Sequence, residues 1–550
     1  MSTITLSRIA DKHPDRFRIK YDDAVKVLGP NAKVPENNSL PTLRSSSKIA
    51  CIGTGFSGIS LALTLQNDMG LDDYVLIDRH KEIGGTWHAN VYPGVSSDVP
   101  SLHYSISNYL VTNWSVAQAP QGETQEYLLE VVNSNDIRRH CLLGYFVTKA
   151  EWNEDHWDIY LRNMDSGQLT IHSAKILVNG AGGLVYPNEY NPPGLDKFKG
   201  DYIHSAVYNW DVPIEGRNVI VVGNGCSAVQ LVPKVLQDMN PKSLTQVVRS
   251  EHWIMPPVPH QLHKLYTRMS KLGYFGLWLV RNFVAILSDL RFPMFKGNSW
   301  LSRKIREFTY KKTHTYMVNN CPKKYQDILI PNFKVGCKRL IYDRGYLQAL
   351  HDPRVDVKKS TIAQVKEHSV VLADGTELPA DVIIACTGYN IGKNLKQIDV
   401  IGENGVHVNE LWDKEGVSAY ETMMVKHCPN YFMLVGPNAG TGHFSVTTAI
   451  ENACIFVKKM SKPILEDGVN IRVKPEKHDE WQETVQSELK KCVFGNVEFG
   501  GCQSWYTKDG HNSTAYPWSQ YEFYKRMCNP KMEDMIIEKD CELCGKPKLD

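Results

Sequence analysis

The stretch KIACIGTGFSGISLALTLQNDMGLDDYVLID, residues 48–78, decides the fold. Its apolar start has the composition of a buried strand, and the apolar residues after the glycines recur at helical spacing. YVLID, residues 74–78, is a second short apolar run. The stretch therefore predicts strand, helix and strand, which is the repeating unit of a doubly wound parallel sheet.

The turn after the first strand carries Gly53, Gly55 and Gly58 in the G-x-G-x-x-G spacing. The first glycine permits a tight turn, the second lets the backbone approach a pyrophosphate, and the third allows helix and strand to pack closely. The N–H groups at the start of the helix can then bind the phosphates. Asp78 ends the next strand, where a carboxylate can accept hydrogen bonds from an adenosine ribose. A tight turn without a ligand is the alternative.

The same pattern returns in NVIVVG, NGCSAVQLVPKVL and SLTQVVR, residues 218–223, 224–236 and 243–249. Here GNGCSA supplies Gly223, Gly225 and Ala228, and the second strand ends at Arg249 rather than at an acid. A guanidinium matches a 2′-phosphate in charge and geometry. The second turn therefore predicts NADPH, with a solvated arginine at the strand end as the alternative.

Two such units predict an α/β protein with two doubly wound, Rossmann-like dinucleotide-binding domains. An aromatic and basic segment at about 255–330 predicts a helical insertion in the second domain, and we expect Trp278, Phe283 and Trp300 to line an apolar substrate pocket. Two dinucleotide sites in one chain predict a bound flavin that a nicotinamide reduces. The expected division is residues 1–45 as an N-terminal extension, with the polar run 35–47 as a linker, 46–200 as the first part of an FAD-binding domain, 201–380 as the NADPH-binding domain, and 381–550 as the rest of the FAD-binding domain with a C-terminal tail.

Composition limits the possible partners. The 550 residues carry a net charge of +2, which gives no reason to expect binding to nucleic acid or to an anionic membrane. The thirteen cysteines form no tidy disulfide pattern and no secretory signal is evident, so we expect reduced thiols and a cytoplasmic location. No metal is predicted, because Cys541-x-x-Cys544 stands alone.

The most apolar run is LGYFGLWLVRNFVAIL, residues 272–287. It is too short to span a bilayer and has Arg281 near its middle. A buried or partly exposed helix is the favoured interpretation, and contact with a membrane surface is the alternative that we do not expect.

Further along, Phe198-x-Gly200-x-x-x-His204-x-x-x-Tyr208 resembles the fingerprint of the class B flavoprotein monooxygenases, which comprise the Baeyer–Villiger and the flavin-containing monooxygenases. Other stretches are similar to family segments in the same order, over about residues 46–526: GGTWHANVYPGVSSDVPSLHYS, NGAGG, GCKRL, DVIIACTGY, GPNAGTGHFS and SWYTKDGHNSTAYP. Gly-Gly-Thr-Trp and Gly-Cys-Lys-Arg favour the Baeyer–Villiger branch. Tyr208, where that branch usually has tryptophan, is similar to the other branch.

The resemblance implies an FAD- and NADPH-dependent monooxygenase that inserts one atom of O2 beside a ketone carbonyl, giving an ester or lactone through an oxygen adduct of the reduced flavin. Oxidation of amine nitrogen or sulfide sulfur is the alternative, and a non-catalytic nucleotide-binding flavoprotein is a third. The partners expected are a small-molecule ketone or other organic substrate and O2.

The resemblance also implies residue roles. Arg339 is the expected catalytic cation, Asp98 pairs with it, and Lys338 helps to hold the NADPH phosphate, whereas His204 couples domain movement. The turns and the resemblance together predict as cofactor-binding residues Gly53, Gly55, Phe56, Ser57, Gly58, Asp78, Arg79, Gly85, Thr86, Trp87, Asp98, Tyr104, Gly223, Gly225, Cys226, Ser227, Ala228, Arg249, Lys338, Thr387, Gly388 and Asn438.

Overall fold

The computed structural model describes residues 1–29, 32–504, 506–508 and 510–539. In the first part of the chain the strands and helices are β1 (Ser2–Ile4), α1 (Ile9–Lys12), α2 (Tyr21–Leu28), β2 (Leu43–Ile52), α3 (Phe56–Met69), β3 (Tyr74–Asp78), α4 (Thr86–Ala89), α5 (Ser101–Tyr104), β4 (Tyr109–Val111), α6 (Gln121–Ser134), β5 (Cys141–Leu143), β6 (Tyr145–Asn153), β7 (His156–Asn163), β8 (Leu169–Asn179) and β9 (Asp201–His204). In the middle they are β10 (Asn218–Val222), α7 (Cys226–Asp238), β11 (Ser243–Val248), β12 (Ile254–Met255), α8 (His260–Met269), α9 (Gly273–Asp289), α10 (Trp300–Asn320), α11 (Gln326–Leu329), β13 (Ile341–Tyr342), α12 (Tyr346–Ala349), β14 (Val355–Lys359), β15 (Ile362–Val365), β16 (Ser369–Leu372), β17 (Glu377–Pro379) and β18 (Val382–Ala385). In the last part they are α13 (Ile391–Leu395), β19 (Asp399–Ile401), α14 (Val408–Glu415), β20 (Tyr431–Met433), α15 (Val446–Glu466), β21 (Val469–Val473), α16 (Pro475–Leu489), α17 (Val497–Gly500), β22 (Thr507–Lys508), β23 (His511–Asn512), α18 (Gln520–Cys528) and β24 (Met535–Lys539).

The first sheet is built around the opening stretch. Its strand order is β19-β6-β7-β8-β2-β3-β5, and β20 adds to β8. The pairs β2–β3, β2–β8 and β20–β8 are parallel. Ile49, Cys51 and Leu76 on these central strands are fully buried, which explains why the strands are apolar without alternation.

The second sheet is parallel throughout, in the order β14-β11-β10-β18-β9. The predicted α/β fold with two Rossmann-like units is therefore confirmed. The strand β18 joins this second sheet, just after the expected domain boundary at residue 381. The short strands β12 and β13 pair with each other. The helices α8 to α11 lie between β12 and β13 in the chain, so the predicted helical insertion begins and ends beside the same pair of strands.

One expectation about the chain before residue 48 is wrong. The polar run 35–47 was expected to be a linker, but β2 begins within it at Leu43, and residues 43–47 pair with residues 170–174 of β8. The N-terminal extension also packs on the first unit, because β1 pairs with β4 and Leu6 and Leu28 are buried. Backbone pairing with a distant strand outweighs the turn-forming composition of this segment.

The expectation of reduced thiols is wrong for one pair, because Cys337 and Cys502 form a disulfide across 165 residues of sequence. Cys541 and Cys544 lie outside the described residues. Within the described ranges, no helix combines the length and the apolar character that crossing a membrane requires.

Candidate active site

A cavity of about 1550 Å³ lies where the two nucleotide units meet. Gly53 and Gly55 of the first turn and Gly223 and Gly225 of the second all line it. Pockets for one ligand are commonly roughly 300–1,000 Å³. The cavity therefore has room for more than one ligand, and it lies at the carboxyl ends of β2 and β10, where doubly wound sheets bind nucleotides.

Most of the residues predicted to bind cofactors line this cavity: Gly53, Gly55, Phe56, Ser57, Asp78, Arg79, Gly85, Thr86, Trp87, Asp98, Tyr104, Gly223, Gly225, Cys226, Ser227, Arg249, Lys338, Thr387 and Gly388. Gly58, Ala228 and Asn438 do not line it. Gly58 lies behind the turn, where a Cβ would come within 2.1 Å of the Gly53 carbonyl oxygen, so its role is close packing. Ala228 is fully buried in α7. The Asn438 amide instead donates to the carbonyl oxygens of Asn512 and Ala515, at 2.7 and 3.2 Å.

The first turn fits a flavin nucleotide. A Cβ on Gly85 would lie 2.8 Å from the Gly55 Cα, so two glycine backbones face each other beside the cavity. The Asp78 carboxylate accepts from the Thr54 backbone N–H and hydroxyl, both at 2.9 Å, which holds it at the cavity wall. The Trp87 indole donates to the Tyr104 hydroxyl at 3.2 Å and is almost fully buried. These contacts form a narrow glycine-lined groove with an aromatic wall.

The second turn fits a phosphorylated nicotinamide nucleotide. A Cβ on Gly225 would meet no atom within 4 Å, so the cavity is open directly over the backbone. Lys338 donates to the Ser250 hydroxyl at 3.0 Å and to the Glu251 carbonyl oxygen at 3.2 Å. Burial and the nearby Arg249 guanidinium lower the pKa of Lys338. Two neighbouring cations of this kind suit a phosphate group.

Arg339 and Asp98 form an ion pair at the cavity wall. Arg339 Nε donates to Asp98 Oδ2 at 2.5 Å, although the two residues are 241 positions apart in sequence. The carboxylate of Asp98 raises the pKa of Arg339 above its usual value, so the guanidinium stays charged. The Arg339 side chain remains 36% exposed. A fixed cation therefore faces the space that both nucleotide turns share.

His204 lies behind this wall rather than in it. The Ala206 N–H donates to His204 Nδ1 at 3.1 Å, and burial lowers the pKa of His204 to about 4. The ring is therefore neutral with its proton on Nε2, which donates to the Thr387 hydroxyl at 3.0 Å. Because Thr387 lines the cavity and His204 does not, the histidine positions a residue at the site.

Sequence reasoning missed part of the site. Tyr145 and Phe146 at the start of β6 line the cavity, and the Arg79 guanidinium lies 5.9 Å from the Phe146 ring. Tyr506 also lines it. The resemblance of SWYTKDGHNSTAYP to a family segment was a signal for Tyr506, whereas Tyr145 and Phe146 had no motif.

The prediction that the helical insertion lines the substrate pocket through three aromatic residues is wrong. Trp278, Phe283 and Trp300 are not among the residues that line the cavity, and they are 41%, 52% and 68% exposed. The apolar residues that line the cavity include Phe444, Val446, Ile450 and Phe494 instead. Helical periodicity shows which side chains share a face but not which way the face points.

Residues 46–401 match the FMO-like family, described as flavin-binding monooxygenase-like, and the chain belongs to this family. Among its relatives are a Baeyer–Villiger monooxygenase of Streptomyces coelicolor, 29% identical over 86% of this chain and 90% of the relative, and one of Pseudomonas aeruginosa, 29% identical over 88% and 90%. The solved structure of cyclohexanone monooxygenase from Rhodococcus sp. Phi1 bound to NADP+ is 23% identical, with a TM-score of 0.75 over 90% of this chain and all of that one. Oxidized steroid monooxygenase bound to NADP has a TM-score of 0.74 at 21% identity, over 90% of this chain and all of that one. The expected family, the enzyme class and the flavin cofactor are confirmed.

Proposed function

We propose that this protein is an NADPH-dependent Baeyer–Villiger monooxygenase that binds FAD at the first glycine turn and NADPH at the second. The observation that carries the proposal is the Arg339–Asp98 pair, which faces a cavity lined by both turns. The relatives named as Baeyer–Villiger monooxygenases support the same reaction. The substrate class is a ketone, which becomes an ester or lactone.

The side chains have different roles in the proposed reaction. When bound, the flavin supplies the electrons that activate O2. Arg339 supplies a permanent positive charge where negative charge develops, and such preorganised charge is effective in a site sheltered from water. Asp98 holds the guanidinium by its Nε, which leaves the outer nitrogen atoms directed toward a ligand. Arg249 and Lys338 would hold the 2′-phosphate, and the Trp87 and Tyr104 rings would limit access of water.

The test is an Arg339→Ala variant. Reduction of the flavin by NADPH should continue, because the nucleotide turns are unchanged, whereas ester formation should fall by about 10²–10³, the effect of removing one preorganised charge-stabilising group. Stopped-flow absorbance measures the reduction, and chromatography measures the product. Arg339→Lys is the matched control that keeps the charge and should recover part of the activity. Ester formation at the wild-type rate in Arg339→Ala would contradict the proposal.

Oxidation of nitrogen or sulfur is the second candidate, and it rests on Tyr208 in the fingerprint. Tyr208 is buried, its hydroxyl lies 3.7 Å from the Met239 sulfur, and it does not line the cavity. It therefore has no direct contact through which it could select the reaction. Product analysis with ketones, amines and sulfides under labelled O2 separates the two: labelled ester supports the first candidate, and labelled N-oxide or sulfoxide without ester supports the second.

A further inference from the structure

The outer face of α9 is largely apolar. Phe275, Trp278, Leu279, Phe283, Ile286 and Leu290 at its end are 39–64% exposed and recur every three or four residues. That spacing places them along one side of a helix. We call these six residues the α9 outer face. A continuous exposed apolar surface of this kind marks an interaction site.

Arg281 and Ser288 lie on the opposite side of the same helix, whereas Asn282 lies among the outer residues, half-buried, with its amide donating to the Trp278 carbonyl oxygen at 2.8 Å. Arg281 is buried, and its guanidinium donates to Glu451 Oε2 at 2.9 Å and to the Ser105 carbonyl oxygen at 3.2 Å. Ser288 is buried as well. Turning the helix round would break the pair between the buried Arg281 and the half-buried Glu451 and leave both charges without their partner, so the apolar side is fixed outward.

The sequence around α9 is strongly basic. Residues 260–312 contain eleven lysine and arginine residues and two acidic residues, a charge of +9, whereas the whole chain carries +2. Lys264, Arg268 and Lys271 precede the helix, and Arg303 follows it. All four are exposed, and none forms an ion pair with any residue that the structure describes. Apolar and aromatic side chains flanked by free cations are the composition of helices that lie at a membrane surface.

We propose that the α9 outer face docks on an anionic lipid surface. The apolar side chains would enter the boundary between headgroups and acyl chains, and the flanking lysine and arginine residues would contact the anionic headgroups. The helix lies along the surface rather than across it: its 17 residues are about 25 Å long, against a hydrocarbon core of about 30 Å. A second copy of the chain is disfavoured as the partner, because two segments of +9 would repel each other.

The docking face is separate from the reaction site. The inner side of α9 packs against α5, and its Arg281 holds Glu451 of α15. Tyr104 of α5 and Ile450 of α15 line the cavity, whereas none of the α9 outer face does. Substitutions on that face should therefore leave the activity in free solution unchanged.

Sedimentation of the full-length holoprotein with vesicles tests the proposal. Wild type should bind vesicles of phosphatidylcholine and phosphatidylserine more tightly than vesicles of phosphatidylcholine alone, and added salt should remove the difference. Phe275→Ser/Phe283→Ser should bind both kinds more weakly, by about tenfold per phenylalanine. Lys264→Gln/Lys271→Gln should weaken binding only to the anionic vesicles, by about fivefold per lysine.

Leu43→Ser/Ile537→Ser is the matched control. It removes two apolar side chains of similar exposure, 45% and 48%, elsewhere in the chain, and it should bind as wild type does. Activity without vesicles reports folding, and Trp278→Ser is an independent substitution on the same face if the double variant does not fold. The proposal is overturned if wild type sediments with neither vesicle type, or if removal of the phenylalanines changes nothing. It is also overturned if wild type is a dimer that binds no vesicles and becomes monomeric in Phe275→Ser/Phe283→Ser, since a second copy would then cover the face.

Discussion

Replacing Asp98 by asparagine tests whether the Arg339–Asp98 pair acts as one unit. The substitution keeps the size of the side chain and one acceptor oxygen but removes the charge that holds Arg339 Nε at 2.5 Å. A hydrogen bond to a charged group contributes about 1.5–3 kcal/mol. Because Arg339 is 36% exposed, solvent screens the pair and the lower end of that range applies. About 1.4 kcal/mol corresponds to tenfold, so product formation should fall by about tenfold while flavin reduction stays unchanged.

The double variant makes the test sharper. If Asp98 acts only by orienting the guanidinium, its loss has no further effect once Arg339 is alanine, and Asp98→Asn/Arg339→Ala should match Arg339→Ala alone. Ester formation and hydrogen peroxide release per NADPH consumed are measured for wild type, both single variants and the double variant. The reasoning is refuted if the two losses multiply, because Asp98 would then contribute independently of Arg339.

Three further predictions concern the nucleotide turns and the histidine behind the site. Gly58→Ala should fail to retain flavin, because its Cβ would lie 2.1 Å from the Gly53 oxygen. Gly225→Ala should fold, keep flavin and raise the KM for NADPH, because its Cβ enters open cavity. Flavin absorbance and kinetics check both variants, and normal flavin content in Gly58→Ala would contradict the packing argument. Arg249→Ala should lower the preference for NADPH over NADH, measured as the ratio of their kcat/KM values, by about tenfold or more, because a charged contact to phosphate is lost. Unchanged kcat/KM with both nucleotides would contradict the assignment of Arg249 to the phosphate. Burial lowers the pKa of His204 from 6.5 to about 4, so the unfolded chain takes up the proton at a higher pH than the folded protein does. The free energy of unfolding should therefore decrease by about 3 kcal/mol as the pH falls from 6.5 to 4. Denaturant unfolding of His204→Gln should show a decrease smaller by that amount, and equal pH dependence in both proteins would argue against a buried neutral ring.

The nucleotide-binding part of the fold could be predicted because its signals are local. The spacing of Gly53, Gly55 and Gly58 fixes the turn, the following helix and the close packing within six residues of sequence. The Arg339–Asp98 contact could not be derived in this way, since 241 residues separate its partners. It was expected from the family resemblance alone. The Cys337–Cys502 disulfide could not be derived either, because the GCKRL motif that contains Cys337 indicates no partner for that cysteine.

The prediction that residues of α9 line the substrate pocket failed for a different reason. The apolar spacing of α9 correctly indicated a helix, and a buried or partly exposed helix was expected, but hydrophobicity alone did not show which side faces outward. Arg281 carried that signal, because a single charged residue in an apolar helix can be buried when a distant carboxylate pairs with it. Glu451 is that partner, and it lies 170 residues further along the chain. Local sequence could show the charge but not its partner.

The position of the Arg339–Asp98 pair connects the fold to the reaction. Asp98 lies in the first unit, between α4 and α5, and Arg339 immediately precedes β13, where the helical insertion returns to the second unit. The pair can therefore form only when the two units and the insertion are all in place. The disulfide joins Cys337, two residues before Arg339, to Cys502, and Tyr506 just beyond it also lines the cavity. The cation that we propose for the reaction is thus held from three separate parts of the chain, so we expect a change in the relative position of the two units to move the guanidinium before it alters either nucleotide turn.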